Sequence, residues 1–255
     1  MRVVTADAEA ALSFYNNALC RPGLSYSQTK RRQLIEFGVP DRLIAGWDAL
    51  DRGEWLGPQL EHLLATRAPA MDRMHPDGCT RLGLYAKGIG DALAANRQPG
   101  RGTVLDFGCG PWVDASLYFA ARLCGDVLLA DIHPLTLAFA RWQLQQAKVP
   151  CADHLVQVGE DEALLVGSET ALIIESSAFE HVPDLRHLFP KMMERLSPGA
   201  LFLTNYTRLD WTDPQFDGYQ DNKDFAAEAM AVAQDLAYRH EWEPVQGLWD
   251  LWCRK

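Results

Sequence analysis

The chain reads as an α/β protein: a doubly wound, mostly parallel seven-stranded sheet over residues 101–255, preceded by a helical cap over residues 1–100. Three observations predict this. From Gly102 onward, short apolar runs alternate with stretches of helical period, the rhythm of βαβ units whose strands are buried on both faces. A glycine-rich turn, Gly108-Cys109-Gly110, separates the first apolar run from the first of these helices. Before Gly102, no stretch of strand alternation competes with helical spacing.

In the N-terminal part, Ala8, Ala11, Leu12, Tyr15, Ala18 and Leu19 share one helical face. Further helices are expected over 43–50, 57–67 and 81–95, bounded by Gly53, Pro58, Pro69, Pro76-Asp77-Gly78 and Pro99-Gly100. The segment is rich in aromatics (Phe14, Tyr15, Tyr26, Phe37, Trp47, Trp55, Tyr85), which suit a packed core with a few rings left to wall a pocket.

In the C-terminal part, strands are expected over 103–107, 127–131, 154–158, 171–175 and 199–204. Between them lie a helix with Val113, Leu117, Ala120 and Leu123 on one face, a helix over 134–147 with Pro near its first turn, and a helix from Pro183-Asp184 to Arg195. A long helix over 222–238 precedes a closing antiparallel pair, 241–246 and 248–253.

Composition narrows the function. Hydrophobic residues make up 48% of the chain, enough for a full core. The 24 Lys and Arg against 34 Asp and Glu leave a formal charge of −10, which disfavours a nucleic-acid partner, since phosphate contacts need clustered cations. The one basic cluster, Lys30-Arg31-Arg32, reads as a solvated face. Six scattered cysteines, with no CxxC pair and no His at zinc-finger spacing, read as reduced thiols in a cytoplasmic, metal-free protein. No leader pattern and no run of about 18 apolar residues is present, so no membrane partner is expected; a homodimer is compatible with the sequence.

The run Val104-Leu105-Asp106-Phe107-Gly108-Cys109-Gly110 puts a tight turn at the end of a buried strand, where glycines let a ligand approach the backbone closely. About 20 residues on, the second strand ends in Asp131, whose carboxylate suits the two hydroxyls of a ribose. Over 102–255 the order of elements and this motif resemble the class I, Rossmann-like S-adenosylmethionine-dependent methyltransferases, whose first motif reads acid-x-Gly-x-Gly. The resemblance implies S-adenosylmethionine as cofactor. Asp106, Gly108, Cys109 and Gly110 would then line its methionine part, and Asp131 would hold the ribose. Ile132 would cover an adenine face, with Glu160 or Asp161 near the adenine amino group. Pro111-Trp112 departs from the family, which often has a small residue there, so Trp112 makes a bulkier wall beside the amino-acid tail. Upstream, Arg81, Tyr85 and Lys87 lie within about two helical turns, and an Arg or Tyr there suits the cofactor carboxylate. A redox dinucleotide site fits less well, because Val113 stands where that pattern has Gly or Ala.

The fourth strand delivers Glu175-Ser176-Ser177-Ala178-Phe179-Glu180-His181-Val182-Pro183 to the carboxyl edge of the sheet, where open parallel sheets bind ligands. Ser176 and Ser177 would face the cofactor. Glu175 could orient a nucleophile, balance the sulfonium charge or cap the following turn; His181 is a general base or a structural residue. Asn205-Tyr206, after the fifth strand, is a second candidate rim, and the 206–221 connection with Trp211, Phe216 and Tyr219 could cover a substrate. The leading expectation is methyl transfer to a small, partly apolar metabolite, as in secondary-metabolite biosynthesis. A second reaction class is cyclisation of the cofactor's aminocarboxypropyl group to azetidine-2-carboxylate with release of methylthioadenosine, as in azetidine-2-carboxylate synthase-like proteins; a third reading is a non-catalytic binder.

Overall fold

In the computed structural model, which describes residues 26–39, 41, 44–45, 102–110, 113–122, 125–157, 159–176, 178–206, 218–236, 238–242 and 250–255, the apolar runs of the second half become one sheet. In chain order the described elements are α1 (Tyr26–Phe37), β1 (Thr103–Phe107), α2 (Asp114–Arg122), β2 (Asp126–Asp131), α3 (Pro134–Gln146) and β3 (Cys151–Leu155). They continue with β4 (Thr170–Glu175), α4 (Leu185–Arg195), β5 (Leu201–Thr204), α5 (Gln220–Asp235), β6 (Tyr238–Trp242) and β7 (Asp250–Arg254). The strand order is β3-β2-β1-β4-β5-β7-β6. The pairings of β1 to β5 are parallel, and β7 runs antiparallel to both β5 and β6.

Strand alternation sorts the apolar residues onto two faces. Val104, Leu129, Leu172 and Leu203 join Leu117 and Phe119 of α2 and Leu137 and Leu144 of α3 in one buried cluster. Leu105, Ile173 and Phe202 join Phe189 and Met192 of α4 and Phe225 and Ala229 of α5 in the other. Each fully buried Leu, Ile or Phe contributes about 1.5–3 kcal/mol of transfer free energy, so a sheet covered on both faces is strongly fixed in register.

Three boundaries differ from the sequence expectation. The third strand begins at Cys151, not at 154; it is an edge strand, largely exposed, so it lacks the apolar run that marks a central strand. The long helix spans Gln220–Asp235, and Tyr238, expected at its end, instead opens β6, with its hydroxyl donating to the Met193 carbonyl at 2.8 Å. The closing pair is Tyr238–Trp242 with Asp250–Arg254, so the described strands lie further apart than the expected 241–246 and 248–253.

Helix α1 packs on α3 through Phe37, whose ring centroid lies 5.3 Å from Phe139 and 5.7 Å from Trp142. Arg31 and Arg32 of the basic cluster are half-buried, and Arg32 pairs with Glu36 one turn on at 3.4 Å. The cap helices expected over 8–19, 57–67 and 81–95, and most of 43–50, lie outside the described residues. Among the described residues, no helix is long and apolar enough to cross a membrane.

Candidate functional site

The sheet changes direction of winding at β1, which has β2 on one side and β4 on the other. The crevice outside the carboxyl ends of β1 and β4 is where an open α/β sheet binds its ligand. The chain lines it with the glycine loop after β1 and the turn after β4.

The glycine loop is held from below by β2. The Gly108 and Cys109 amides donate to the Ala130 carbonyl at 2.9 and 3.1 Å, and the Gly110 amide donates to Asp131 Oδ2 at 2.9 Å. Gly108 and Gly110 both have left-handed backbones, with φ of +65° and +55°. Their surroundings differ. A Cβ on Gly108 would sit 2.3 Å from the Ala178 Cβ, so here the glycine lets the β4 turn close against the loop. Among the described residues, a Cβ on Gly110 would meet nothing within 4 Å.

Two carboxylates anchor this floor. Asp106, at the β1 end, accepts a hydrogen bond from the Ser116 hydroxyl of α2. Burial raises its pKa to about 7; the Ser116 bond opposes the shift, and the charges of Asp131 and Asp114 add to it. Asp131 accepts from the His133 amide at 2.8 Å through Oδ1, while Oδ2 holds Gly110, so one side chain ties the end of β2 to the loop above β1. The next residue, Ile132, is 63% exposed, an apolar side chain presented at the crevice rim. Burial pushes the Cys109 thiol well above its usual range, and nearby Asp106 and Asp131 add to this; it is a neutral packing group in the core.

Past β3, Glu160 accepts the Gln157 amide at 3.0 Å and lies 2.6 Å from His154 Nε2. The Gln157 bond first, then His154, holds its carboxyl below the ordinary range. Asp161 instead caps the short 3-10 turn Glu162–Leu165, accepting from the Ala163 amide at 3.3 Å, and pairs with Lys191 of α4 at 3.5 Å.

At the end of β4, Glu175 is fully buried. Its Oε1 accepts the Ala178 and Phe179 amides at 2.9 and 3.1 Å, and its Oε2 accepts the Thr204 hydroxyl. Of the roles left open from the sequence, this geometry is that of the turn cap. Burial raises its pKa, and the hydrogen bonds from Thr204, Ala178 and Phe179 oppose the rise. Ser176 lies half-buried in the bend. His181 ends the 3-10 turn Phe179–His181 with its side chain 48% exposed and Nε2 4.0 Å from Glu180 Oε1.

Tyr206 is a correction. Expected at the rim as a catalytic group, it is fully buried, with its ring 5.9 Å from Phe179 and its hydroxyl donating to the Asn222 carbonyl. The chain turns inward after β5 because the Thr204 hydroxyl, already bonded to Glu175, also accepts the Tyr206 amide at 3.0 Å. Burial raises the Tyr206 pKa further, with the charges of Glu175 and Glu180 adding to it, so the phenol is a scaffold group. Thr204 and Asn222 were not singled out from the sequence. Thr204 stands beside Glu175 in the parallel register, a pairing that becomes visible once β4 and β5 are aligned. Tyr85, Trp112 and Ser177, together with Arg81 and Lys87, lie outside the described residues. Among the described residues, no group of three or more His, Cys, Asp or Glu is placed to hold a metal ion.

No family model matches the chain. It is 29% identical over 133 residues to trans-aconitate 2-methyltransferase of Variovorax paradoxus (strain S110), a match covering 52% of this chain and 47% of that protein. The chain therefore spans about half the length of the curated relative it matches. Magnesium protoporphyrin IX methyltransferase (ChlM) from Synechocystis PCC 6803, solved with bound S-adenosylhomocysteine, is similar in fold at a TM-score of 0.51 and 15% identity, over 83% of this chain and 95% of that one. The CurJ carbon methyltransferase is similar at a TM-score of 0.53 and 15% identity, over 88% of this chain and 70% of that one. The fold is thus that of the class I methyltransferases.

Proposed function

We propose that this class I fold serves an S-adenosylmethionine-dependent methyltransferase acting on a small, partly apolar molecule. The observation that carries the reading is the glycine loop at the β1/β4 crevice, pinned by Asp131 beneath and open at Gly110. A methionine-bearing nucleoside fits that set: a side-chain-free glycine turn for the amino-acid tail, a fixed carboxylate for the ribose and an exposed aliphatic side chain for the adenine face. Gly108, Cys109 and Gly110 hold the tail with Asp106 beneath them. Asp131 keeps lone pairs for the ribose hydroxyls beyond those used by Gly110 and His133. Ile132 covers adenine, and Glu160 or Asp161 meets its amino group. We assign Trp112 and Tyr85 to the tail end, and a capping role to the 1–100 segment.

When bound, the cofactor supplies a methyl group on a sulfonium, open to direct displacement. The chain then needs to position the acceptor, exclude water and, for a protonated acceptor, take up one proton. His181, half-exposed at the end of the β4 turn, is the group we assign to that proton; Glu175 supports the turn from below, Ser176 lies in its bend, and we assign Ser177 to the cofactor side. The net charge of −10 favours a small acceptor over a nucleic acid, and scattered thiols suit a cytoplasmic enzyme of small-molecule metabolism.

The test has two stages. Calorimetry with S-adenosylhomocysteine comes first; absence of binding overturns the reading. Incubation with S-adenosylmethionine and a panel of small acceptors, beginning with trans-aconitate, follows with mass spectrometry. Formation of S-adenosylhomocysteine with a methylated product supports methyl transfer. Methylthioadenosine released without an acceptor, with an equimolar four-carbon amino acid, replaces methyl transfer with cyclisation.

A further inference from the structure

The turn after β4 is held by more than its own backbone. Asn222, in the first turn of α5, is buried, and its side-chain amide donates to the carbonyls of Phe179, Glu180 and Val182 at 2.8, 3.2 and 2.9 Å. Three carbonyls converging on one group call for donors, and the amide NH2 supplies two N–H, one of them shared between two carbonyls. The Asn222 backbone carbonyl accepts the Tyr206 hydroxyl, and the Tyr219 amide donates to the Glu180 carbonyl at 2.9 Å. Residues 179–182 are thus strapped to α5 on one side, while Glu175 caps the start of the same turn. Ala178, at the head of the turn, lies where a Cβ on Gly108 would collide with it. The turn is fixed against the glycine loop and ends at the half-exposed His181.

We propose that Asn222 is a positioning residue: by clamping the 179–182 carbonyls it fixes the wall of the crevice that faces the cofactor's sulfonium. The inference rests on reading the crevice as an S-adenosylmethionine site and goes beyond it in naming what sets that wall. S-adenosylmethionine and S-adenosylhomocysteine differ only by the methyl group and its sulfonium charge. Their affinity ratio therefore reports the wall, whereas general loosening of the fold weakens both alike.

The experiment measures both affinities by calorimetry on the full chain, for the wild type and for Asn222→Ala, Asn222→Asp and Asn222→Ser. The Ala variant removes the amide, the Asp variant keeps its shape without its donors, and the Ser variant keeps one short donor. Losing the clamp is expected to shift the ratio against S-adenosylmethionine by about fivefold in the Ala and Asp variants, with Ser in between. Hydrogen exchange should rise at the amides of 178–182 and stay as in wild type along β1 and β2. A ratio within about twofold of wild type in every variant that folds overturns the positioning role, even if melting temperatures fall. Failure of the wild type to bind S-adenosylhomocysteine overturns the cofactor reading itself, and this proposal with it, before any variant is compared.

Discussion

Gly108 and Gly110 both have φ in the left-handed range, yet alanine should cost distinctly more at Gly108 than at Gly110. Both have positive φ, so a side chain at either costs about 1–2 kcal/mol of left-handed strain, offset by a few tenths to about 1 kcal/mol through a stiffer unfolded chain. At Gly110 nothing further is met among the described residues. At Gly108 the new Cβ lies 2.3 Å from the Ala178 Cβ, more than 1 Å inside ordinary carbon contact of about 3.5–4.0 Å. Overpacking of that kind adds about 1–3 kcal/mol, because the loop is pinned to Ala130 below and the turn to Glu175 above. Urea unfolding followed by circular dichroism should place Gly108→Ala about 1–3 kcal/mol below Gly110→Ala. In a double-mutant cycle with Ala178→Gly, which removes the opposing methyl, the coupling should recover a similar amount. Equal destabilisation by the two alanines, or coupling below about 0.5 kcal/mol, would refute the argument that loop and turn touch. Gly110→Ala, the less destabilised of the two, should still lose at least about tenfold in S-adenosylhomocysteine affinity, because its methyl enters the open space assigned to ligand.

Asp106 gives a pH signature. Burial holds its native pKa at about 7, above the ordinary carboxyl value of 3.8, so the folded state binds the extra proton and stability should fall as pH rises from 4 to 7. At 1.36 kcal/mol per unit the effect is about 4 kcal/mol at most; Asp106→Asn should flatten that part of the melting-temperature profile, and a slope equal to wild type would count against the burial argument. Glu175→Gln keeps the acceptor for the two turn amides and should retain S-adenosylhomocysteine affinity, whereas Glu175→Ala strands those amides and should lose about 2 kcal/mol or more in urea unfolding. Equal loss of binding in both would assign Glu175 a direct role. Asp131→Ala removes both the proposed ribose acceptor and the tie to Gly110, and should weaken S-adenosylhomocysteine binding on the order of 10–100-fold by calorimetry; unchanged affinity would displace the ribose from this carboxylate.

Much of the fold was legible before any coordinates, because central parallel strands buried on both faces must be written as apolar runs. β1, β2, β4 and β5 were found this way to within a residue or two. The edge strand β3 was misplaced for the same reason: with its side chains largely in solvent, Cys151-Ala152-Asp153-His154-Leu155 has no apolar signature. Glycines between a strand and a helix, with an acid closing the next strand, are likewise legible locally, because a tight turn and the residue that ends a strand are properties of short segments.

The sequence by itself therefore determined the α/β class, the strand run and the glycine loop, all written in local patterns of period and residue size. Only the tertiary structure decided that Glu175 caps a turn, that Tyr206 belongs to the core, and that Thr204 and Asn222 hold the turn after β4. Those roles depend on which carbonyl, amide or hydroxyl lies across from each side chain, tens of residues away in sequence. Such pairings exist only once the strands are in register and α5 is docked, since a polar side chain's function is set by the partner it meets and not by its neighbours along the chain.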